Sequence, residues 1–378
     1  MSRKLVYVVS EDWYFITHRL SLAKCAIEKG YEIIAVTKIN NHGKDLSDIG
    51  IEVIHINFSR SLKKPFLDLF SLYKLIRVFQ THKPDIVHNV GIKLSLLSSL
   101  AGIFSKPKVI INAYTGLGYV FSSNSKLARA IRFLLIPLLR FLNFRNNTWT
   151  VFQNENDKSL FLKNNIIETS RTEIIKGSGV NTDEFPYMKE PDEPIIVMLA
   201  RRLLWDKGIG GFIKAARGLK TKHPDVKFVL VGDIDPQNPM TLKKELLNAW
   251  VKEGIIEWWG HKQNMPKILG LSHIVTLPSY REGLPKVLLE AASIGRPIVT
   301  TNVPGCRDVV RDNINGFLVD AKESSELIEA IDKLIINKDL RLKMGLAGRE
   351  IIFNELSSKK IDKKFLKLYR KSIQSLQK

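Results

Sequence analysis

The chain has 378 residues, 44% of them hydrophobic and 25% charged, a composition that excludes a disordered protein and a length that suits two domains. Its formal net charge of +20 requires an anionic partner, such as a nucleic acid, an acidic lipid surface or a phosphorylated ligand. No apolar stretch reaches the ~20 residues of a membrane-spanning helix, and the apolar run near the N-terminus has strand length and no cleavage pattern.

Strands alternate with helices through the first part of the chain, and this pattern predicts βαβ units with a parallel sheet. Gly30 follows the first predicted helix, where helices commonly stop. The predicted strands are Leu5–Val9, Glu32–Val36, Glu52–Ile56, Asp85–Asn89 and Lys108–Ala113, and the predicted helices are Thr17–Lys29, Pro65–Gln80 and Lys93–Phe104.

The stretch Lys126–Arg145 combines many large apolar side chains with interspersed arginines, and it is too short and too charged to span a membrane. Two interpretations stay open: a basic amphipathic element in the headgroup zone of a membrane, or a helix buried in the core. The segment Lys63–Leu67 is a weaker candidate for membrane contact. Basic residues concentrate in this half, with 14 Lys or Arg against two acids between Asn57 and Val151.

A second alternation begins near Glu193 and predicts a second open α/β domain. The segment between Gly177 and Pro194 is rich in Gly, Pro, Asp and Glu and is the best candidate for a linker. The predicted strands are Pro194–Leu199, Lys227–Val231, Ile255–Trp258, Ile274–Leu277 and Pro297–Thr300, and the predicted helices are Gly208–Thr221, Thr241–Glu253, Pro285–Ile294 and Ser358–Gln377.

These elements predict an α/β fold of two facing Rossmann-like domains with parallel sheets and a cleft between them. The expected domains are 1–185 and 186–356, followed by a C-terminal helix at 357–378 that packs back on the N-terminal domain. Ligands of such sheets bind beyond the carboxyl ends of the strands. Cys25 and Cys306 are interpreted as buried free thiols in a reducing compartment.

The segment Glu282-Gly283-Leu284-Pro285, with Glu290 eight residues after the first glutamate, carries the sharpest signal of a site. Gly283 permits close approach of a ligand to the backbone, and Pro285 suits a first helical turn. The turn's free N–H groups attract anions or hydroxyls, and Glu290 is placed to accept hydrogen bonds from a vicinal diol such as ribose. A bare pair of glutamates is usually solvated, but the Gly-Leu-Pro context favours a site.

Arg201 and Lys207, with Gly208 next, follow the first strand of the second domain. A departing nucleoside diphosphate develops negative charge that fixed cations in a dry site stabilise. Arg201 suits a bidentate grip on phosphate oxygens and Lys207 a point charge, while Arg202 is expected to face another way.

The order of these residues resembles glycosyltransferase family 4, the retaining enzymes of the GT-B fold, over nearly the whole chain. The shared segments are Leu199–Leu203, Asp206–Gly208, Leu230–Asp233, Trp259–His261, Pro278-Ser279, Glu282–Ala291, Pro304-Gly305, Asn315–Val319 and Gly179-Val180-Asn181 with Phe185.

The resemblance implies that the second domain binds the nucleotide-sugar donor and the first binds the acceptor. Arg201 and Lys207 would hold the diphosphate, and Glu290 the ribose. Glu282, with Gly283 and Leu284, would contact the transferred sugar. It also implies a front-face mechanism without metal or other cofactor, in which a donor phosphate oxygen takes the acceptor proton. Pro285 and Gly232 complete the expected donor-binding residues, and Asp233-Ile234-Asp235 would shape the nucleotide pocket.

The first domain departs from the commonest pattern of the family, since Thr115 stands where many members carry a sugar-contacting histidine. It is similar instead to a branch that extends glycans on polyprenyl diphosphate carriers. His88 is interpreted either as an acceptor contact or as a hydrogen-bonded structural histidine. The expected acceptor-side residues are His18, Arg19, His88, Lys93, Thr115 and Gly116.

The expected function is transfer of a hexose or N-acetylhexosamine from a UDP-sugar to a lipid-linked glycan in cell-surface polysaccharide biosynthesis, lipopolysaccharide or capsule. The expected location is the cytoplasm, peripheral on the inner face of the cell membrane with its anionic surface as a partner. A nucleotide-sugar epimerase of the same fold is the alternative. A nucleic-acid-binding protein is a further alternative, disfavoured because the basic stretches lack aromatic stacking motifs.

Overall fold

A computed structural model describes residues 2–59, 65–117, 120–121, 125–236, 238, 240–321 and 323–376. The chain divides into two compact units, of which unit 1 comprises residues 1–178 and 361–378 and unit 2 comprises residues 179–360. Of the segment Lys63–Leu67, Lys63 and Lys64 lie outside the described residues, as does Gln377 of the predicted last helix.

Unit 1 is built on a parallel sheet of seven strands in the order β3-β2-β1-β4-β5-β6-β7. The strands are β1 (Arg3–Glu11), β2 (Tyr31–Lys38), β3 (Glu52–His55), β4 (Ile86–Val90), β5 (Val109–Tyr114), β6 (Thr148–Phe152) and β7 (Thr172–Ile174). The helices described are α1 (Asp12–His18), α2 (Leu20–Glu28), α3 (Gly43–Ser47), α4 (Pro65–His82), α5 (Ile92–Ser105), α6 (Lys126–Asn143) and α7 (Glu155–Lys163).

Strand β1 shows why the sheet is covered on both faces. Leu5 to Val9 are all buried, and successive side chains of a strand point to opposite faces. Val6 and Val8 join a core cluster with α4 and α5, whereas Tyr7 joins one with α2 and the C-terminal helix. The predicted parallel α/β architecture is confirmed in this unit.

The region after β1 differs from the prediction, which began the first helix at Thr17. The Asp12 carboxylate accepts hydrogen bonds from the backbone N–H groups of Trp13, Asn40 and His42 at 2.7, 2.7 and 2.9 Å. These bonds lower the pKa of Asp12 to about 2 against the cost of its burial. The helical conformation therefore begins at Asp12, and the segment divides at Arg19 into two helices.

Helix α6 is only partly buried, so a helix buried in the core describes one side of the stretch 126–145 and not the other. Ala128, Leu139 and Leu142 are buried against unit 1, whereas Phe133 and Leu134 are 80% and 73% exposed. The helix thus has a core side and an apolar solvent side. No helix in the described ranges has the length and apolar content needed to cross a membrane.

Unit 2 contains a second parallel sheet, of six strands in the order β10-β9-β8-β11-β12-β13. The strands are β8 (Ile196–Ala200), β9 (Lys227–Val231), β10 (Glu257–Trp258), β11 (Ile274–Leu277), β12 (Ile298–Thr301) and β13 (Gly316–Val319). The helices described are α8 (Ile209–Lys222), α9 (Lys244–Lys252), α10 (Met265–Gly270), α11 (Lys286–Ser293), α12 (Ser324–Ile336) and α13 (Lys338–Ile351).

The C-terminal helix α14 spans Ser358–Gln374, and its residues from Ile361 onward belong to unit 1. Ile361, Phe365 and Tyr369 are buried in the core of that unit with Leu5, Tyr7 and Val9 of β1. Their spacing of four residues places them on one face of the helix. Cys25 is half-buried and Cys306 is buried, and both are free thiols.

Candidate active site

Three segments of unit 2 meet at the carboxyl edge of its sheet, because β9, β8 and β11 are neighbours in the strand order. A side chain on Gly208 (φ +78°) would come within 1.9 Å of the Pro278 carbonyl oxygen, and one on Gly232 (φ +130°) within 2.0 Å of the Arg201 carbonyl oxygen. Both positions therefore require glycine, which brings the segments after β8, β9 and β11 into direct backbone contact.

Glu282 stands at the centre of this edge, and Arg201 and Lys207 converge on its carboxylate. Arg201 Nη2 lies 3.2 Å from Oε2, and Lys207 Nζ lies 3.0 Å from Oε1. The exposed fraction of the side chain is 4% for Glu282, 11% for Lys207 and 31% for Arg201. The three residues predicted to be catalytic thus form one cluster. Glu282 is buried and Lys207 nearly buried in it, and Arg201 is the member most exposed to solvent.

Ser279 fixes the orientation of the central carboxylate. Its hydroxyl donates a hydrogen bond to Glu282 Oε1 at 2.9 Å, and its own carbonyl accepts a short hydrogen bond from the Thr301 hydroxyl. Both Ser279 and Thr301 are buried, so their orientations are set by the core. Sequence reasoning assigned them no role, although a hydroxyl three residues before Glu282 was the available signal.

The segment Gly283-Leu284-Pro285 leads from Glu282 into α11. Leu284 packs against the core, and Pro285 occupies the N-cap rather than the first helical turn. A side chain on Gly305 (φ +79°) would lie 2.2 Å from the Gly283 carbonyl oxygen, so the loop around Gly305 holds this turn closely. The backbone N–H groups at the start of α11 are therefore held next to Glu282.

Glu290 lies within α11 and is 9% exposed. Lys286 Nζ is 3.9 Å from its Oε1, and no other described residue forms an ion pair or a hydrogen bond with its carboxylate. Burial raises the pKa of Glu290, whereas the charges of Lys286 and Arg201 lower it. The result is a buried carboxylate with unused acceptor capacity on the same element as the Glu282 turn.

Gly232 and the acidic segment after it organise the edge. The Gly232 carbonyl accepts a hydrogen bond from Trp258 Nε1 at 2.8 Å. Arg202 donates to Asp235 at 2.8 Å, so the second arginine pairs outside the Glu282 cluster.

In unit 1, His18 and Arg19 lie at the junction of α1 and α2. The centres of the His18 and Tyr14 rings are 4.3 Å apart with the rings tilted by 38°, and His18 Nδ1 is 3.2 Å from the Ser178 hydroxyl. Arg19 is only 3% exposed, and its guanidinium lies 5.5 Å from the centre of the Phe365 ring. Its Nε has no hydrogen-bond partner among the described residues, so a buried cation sits beside the half-buried histidine.

His88 is fully buried in β4, and its Nδ1 is 2.6 Å from the Tyr369 hydroxyl of the C-terminal helix. Its ring also lies 5.1 Å from Tyr7 and 5.2 Å from Phe365. Burial and the nearby Arg19 charge hold the pKa of His88 well below its ordinary value. This position matches the structural histidine of the two sequence interpretations.

Among the other expected acceptor-side residues, Arg19 lies near His88, since both contact Phe365, whereas Lys93, Thr115 and Gly116 do not join them. Lys93 pairs with Asp68 of α4 at 2.7 Å and donates to the Ser59 carbonyl at 2.8 Å, on the opposite face of the sheet from the C-terminal helix. Thr115 and Gly116 follow the carboxyl end of β5, and a side chain on Gly116 would meet open space. Unit 1 therefore holds the six residues in three groups: His18, Arg19 and His88, then Lys93, and then Thr115 with Gly116.

Each of the two units matches the model of a glycosyltransferase family. The description "Glycosyl transferase 4-like" matches residues 4–154, and "Glycosyl transferases group 1" matches residues 180–351. The parallel α/β units have the GT-B fold, and the chain belongs to these glycosyltransferases. The resemblance inferred from the sequence motifs is confirmed.

Individual relatives extend along most of the chain. It is 27% identical over 372 residues to N,N'-diacetylbacillosaminyl-diphospho-undecaprenol alpha-1,3-N-acetylgalactosaminyltransferase of Campylobacter jejuni, covering 95% of this chain and 96% of the relative. It is 26% identical to UDP-Gal:alpha-D-GlcNAc-diphosphoundecaprenol alpha-1,3-galactosyltransferase of Escherichia coli, covering 80% and 79%. A glycosyltransferase structure from Rickettsia africae shares the fold, with a TM-score of 0.78 and 21% identity over 98% of this chain and 99% of that one.

Proposed function

We propose that this glycosyltransferase moves a hexose or N-acetylhexosamine from a UDP-sugar to a polyprenyl-diphosphate-linked glycan with retention of the anomeric configuration. The convergence of Arg201 and Lys207 on Glu282 carries the proposal. Two fixed cations at one buried position match the charge that develops on a departing nucleoside diphosphate. Relatives named for a UDP-sugar donor or undecaprenyl-diphosphate acceptors support the substrate classes.

Each residue of the cluster is given a role in donor binding that fits its chemistry. Arg201, the more exposed cation, grips diphosphate oxygens in a fork, and Lys207 adds a point charge. The start of α11 offers N–H groups to the donor, and Glu290 accepts hydrogen bonds from the ribose diol. Because Arg201 and Lys207 supply the positive charge, we propose that the reaction needs no metal ion.

Retention follows from a front-face displacement in this proposal. The acceptor oxygen bonds to the anomeric carbon as the bond from that carbon to the diphosphate breaks, and the acceptor proton passes to a diphosphate oxygen. Glu282 is held by Arg201, Lys207 and Ser279, which suits a positioning carboxylate that contacts the sugar rather than a nucleophile. Stabilisation of the leaving group is then the main catalytic term.

On the acceptor side, we propose that His18 and Arg19 contact the phosphate or sugar of the acceptor, with Thr115 and Gly116 at the end of β5. Arg19 supports this role because a nearly buried guanidinium with an unpartnered Nε favours an anion. Since the acceptor carries a lipid, the reaction would take place at the inner face of the membrane in the synthesis of a cell-surface glycan.

A donor screen followed by product analysis tests the proposal. UDP, UDP-sugars and their GDP counterparts are compared by thermal shift, and the stabilising donor is then incubated with a polyprenyl-diphosphate sugar, with and without EDTA. The expected result is transfer that EDTA leaves unchanged, with an axial anomeric linkage by NMR from an axial donor. Inversion of the anomeric centre would refute the mechanism, and isomerisation of the donor without acceptor would favour the epimerase.

A further inference from the structure

Large apolar side chains are exposed in one part of unit 1. In the described ranges, the three most exposed are Phe66 (85%), Phe133 (80%) and Leu134 (73%). They belong to helices α4 and α6. We call the solvent side of these two helices the α4–α6 face, made of Phe66, Leu69, Phe70, Tyr73, Leu127, Phe133, Leu134 and Phe141, all more than half exposed.

On α6 the exposed residues form a stripe that is separate from the buried ones. Leu127, Leu134 and Phe141 recur every seven residues, which places them on one side of the helix. The buried Ala128 and Leu139 are 11 residues apart, about three turns, and lie roughly 100° or more around the helix from this stripe. This apolar stripe is therefore not part of the core of unit 1.

The charges of α6 lie beside this stripe and all have one sign. The helix contains Lys126, Arg129, Arg132 and Arg140 and no acidic residue. Among the described acids, none pairs with Lys126, Arg129 or Arg132. Arg129, Arg132 and Phe133 also line a groove of about 320 Å³ next to Leu160 of α7. An apolar stripe flanked by unneutralised cations complements a surface that is apolar inside and anionic outside.

Helix α4 extends the same surface. Phe66, Phe70 and Tyr73 recur at intervals of four and three residues, and the buried Leu75 and Phe79 face the sheet. Helices α4, α5 and α6 lie on the same face of the sheet, because the crossovers from β3 to β4, β4 to β5 and β5 to β6 all run in one direction along it. Both apolar stripes consequently point outward from that face.

We propose that the α4–α6 face docks unit 1 onto an anionic lipid bilayer, with Phe133, Leu134 and the α4 aromatics among the acyl chains and the α6 cations against lipid phosphates. The choice of a bilayer rests on the proposed function, because a polyprenyl-linked acceptor resides in one. The surface itself is independent of the donor site in unit 2.

Vesicle binding by the full chain tests the docking. Vesicles of phosphatidylcholine alone and of equal parts phosphatidylcholine and phosphatidylglycerol are sedimented with the parent and with F133S/L134S. We expect the parent to bind the anionic vesicles, and the variant to bind them at least ~10-fold more weakly. The matched control is I336S/F353S, which replaces apolar side chains of unit 2 that are 65% and 61% exposed, and it should bind like the parent.

Two further measurements identify the occupant. F133W should lose fluorescence to brominated acyl chains, whereas F353W should not. Arg129→Gln with Arg140→Gln should weaken binding only to the phosphatidylglycerol vesicles. Equal binding by parent and F133S/L134S would overturn the proposal. So would a concentration-dependent dimer in light scattering that F133S/L134S abolishes, because the face would then join two copies of this chain.

The same variant separates this inference from the proposed function. Transfer to a short-chain acceptor dispersed without vesicles should be unchanged in F133S/L134S, while transfer to a long-chain acceptor in anionic vesicles should fall. Loss of both activities in a variant with the parent's unfolding temperature would contradict a docking role.

Discussion

The two units share a parallel α/β architecture but use the carboxyl edges of their sheets differently. In unit 2, Arg201 and Lys207 follow β8, Glu282 follows β11, and both cations lie within 3.2 Å of the Glu282 carboxylate. In unit 1, the expected polar residues are dispersed, and His88 is buried against Tyr369 at 2.6 Å. Position near the end of a parallel strand therefore does not by itself place a side chain in a ligand site.

The two edges differ because different elements pack against the two sheets. The C-terminal helix brings Phe365 and Tyr369 onto β1 and β4, and these rings enclose His88. In unit 2, Gly208 and Gly232 let backbone segments touch, and the longer side chains beside them converge. The edge of unit 2 is thus assembled by backbone contact, whereas core side chains fill part of the corresponding edge of unit 1.

The largest expected effect tests the cluster of Arg201, Lys207 and Glu282 in unit 2. Lys207→Ala removes a cation from the departing diphosphate and should lower kcat by ~10²-fold or more. Initial rates with a UDP-sugar and a lipid-linked acceptor measure it. The control is Arg202→Ala, whose guanidinium pairs with Asp235 instead. Normal turnover in a folded Lys207→Ala protein would contradict the assigned role.

The second prediction concerns the packing of the C-terminal helix in unit 1. Burial raises the pKa of Asp362 from 3.8 to about 6, although Ser21 donates to its carboxylate at 2.6 Å and Arg19 also lowers it. In the unfolded chain the group ionises near 3.8, so the folded state loses stability as pH rises towards 6 and carries the full penalty above it. The shift corresponds to about 3 kcal/mol.

Asp362→Asn removes this penalty, so thermal unfolding at pH 7.5 should occur at a higher temperature than in the parent, with little difference at pH 4. Asp48→Asn, at an exposed position of the same unit, serves as the control. If the difference in unfolding temperature between the parent and Asp362→Asn did not vary with pH, ionisation of Asp362 would not be the source of that difference.

The smallest expected effect tests whether Glu290 binds UDP. Glu290→Gln weakens the acceptance of hydrogen bonds from a diol and should raise the dissociation constant of UDP by ~10-fold. Burial raises the pKa of Glu290 above its ordinary value of 4.5. On acidification, the parent should therefore begin to lose affinity for UDP while the pH is still above 4.5. The variant should not show this loss. Calorimetric titration at several pH values measures both, with Glu253→Gln, an exposed glutamate paired with Arg217, as the control.

Most of the fold and the donor-side candidates could be predicted from local patterns. Strand β9 matches its predicted bounds of Lys227–Val231, since five consecutive residues between turn signals define a buried strand. The cation after β8 and the glutamate after β11 were identifiable because turn residues mark those positions in the sequence. The helical start at Asp12 was not, because it depends on hydrogen bonds to Asn40 and His42 about 30 residues away.

The sequence by itself determined the alternation of strands and helices, the excess of basic residues and the residue types of the candidate site in unit 2, because each is a local property of the chain. The tertiary structure decided which side chains meet and which are enclosed. Ser279 became a partner of Glu282 and His88 became core through contacts between segments distant in sequence. It also decided that Phe133 and Leu134 face solvent, since exposure depends on which side of α6 packs on the sheet.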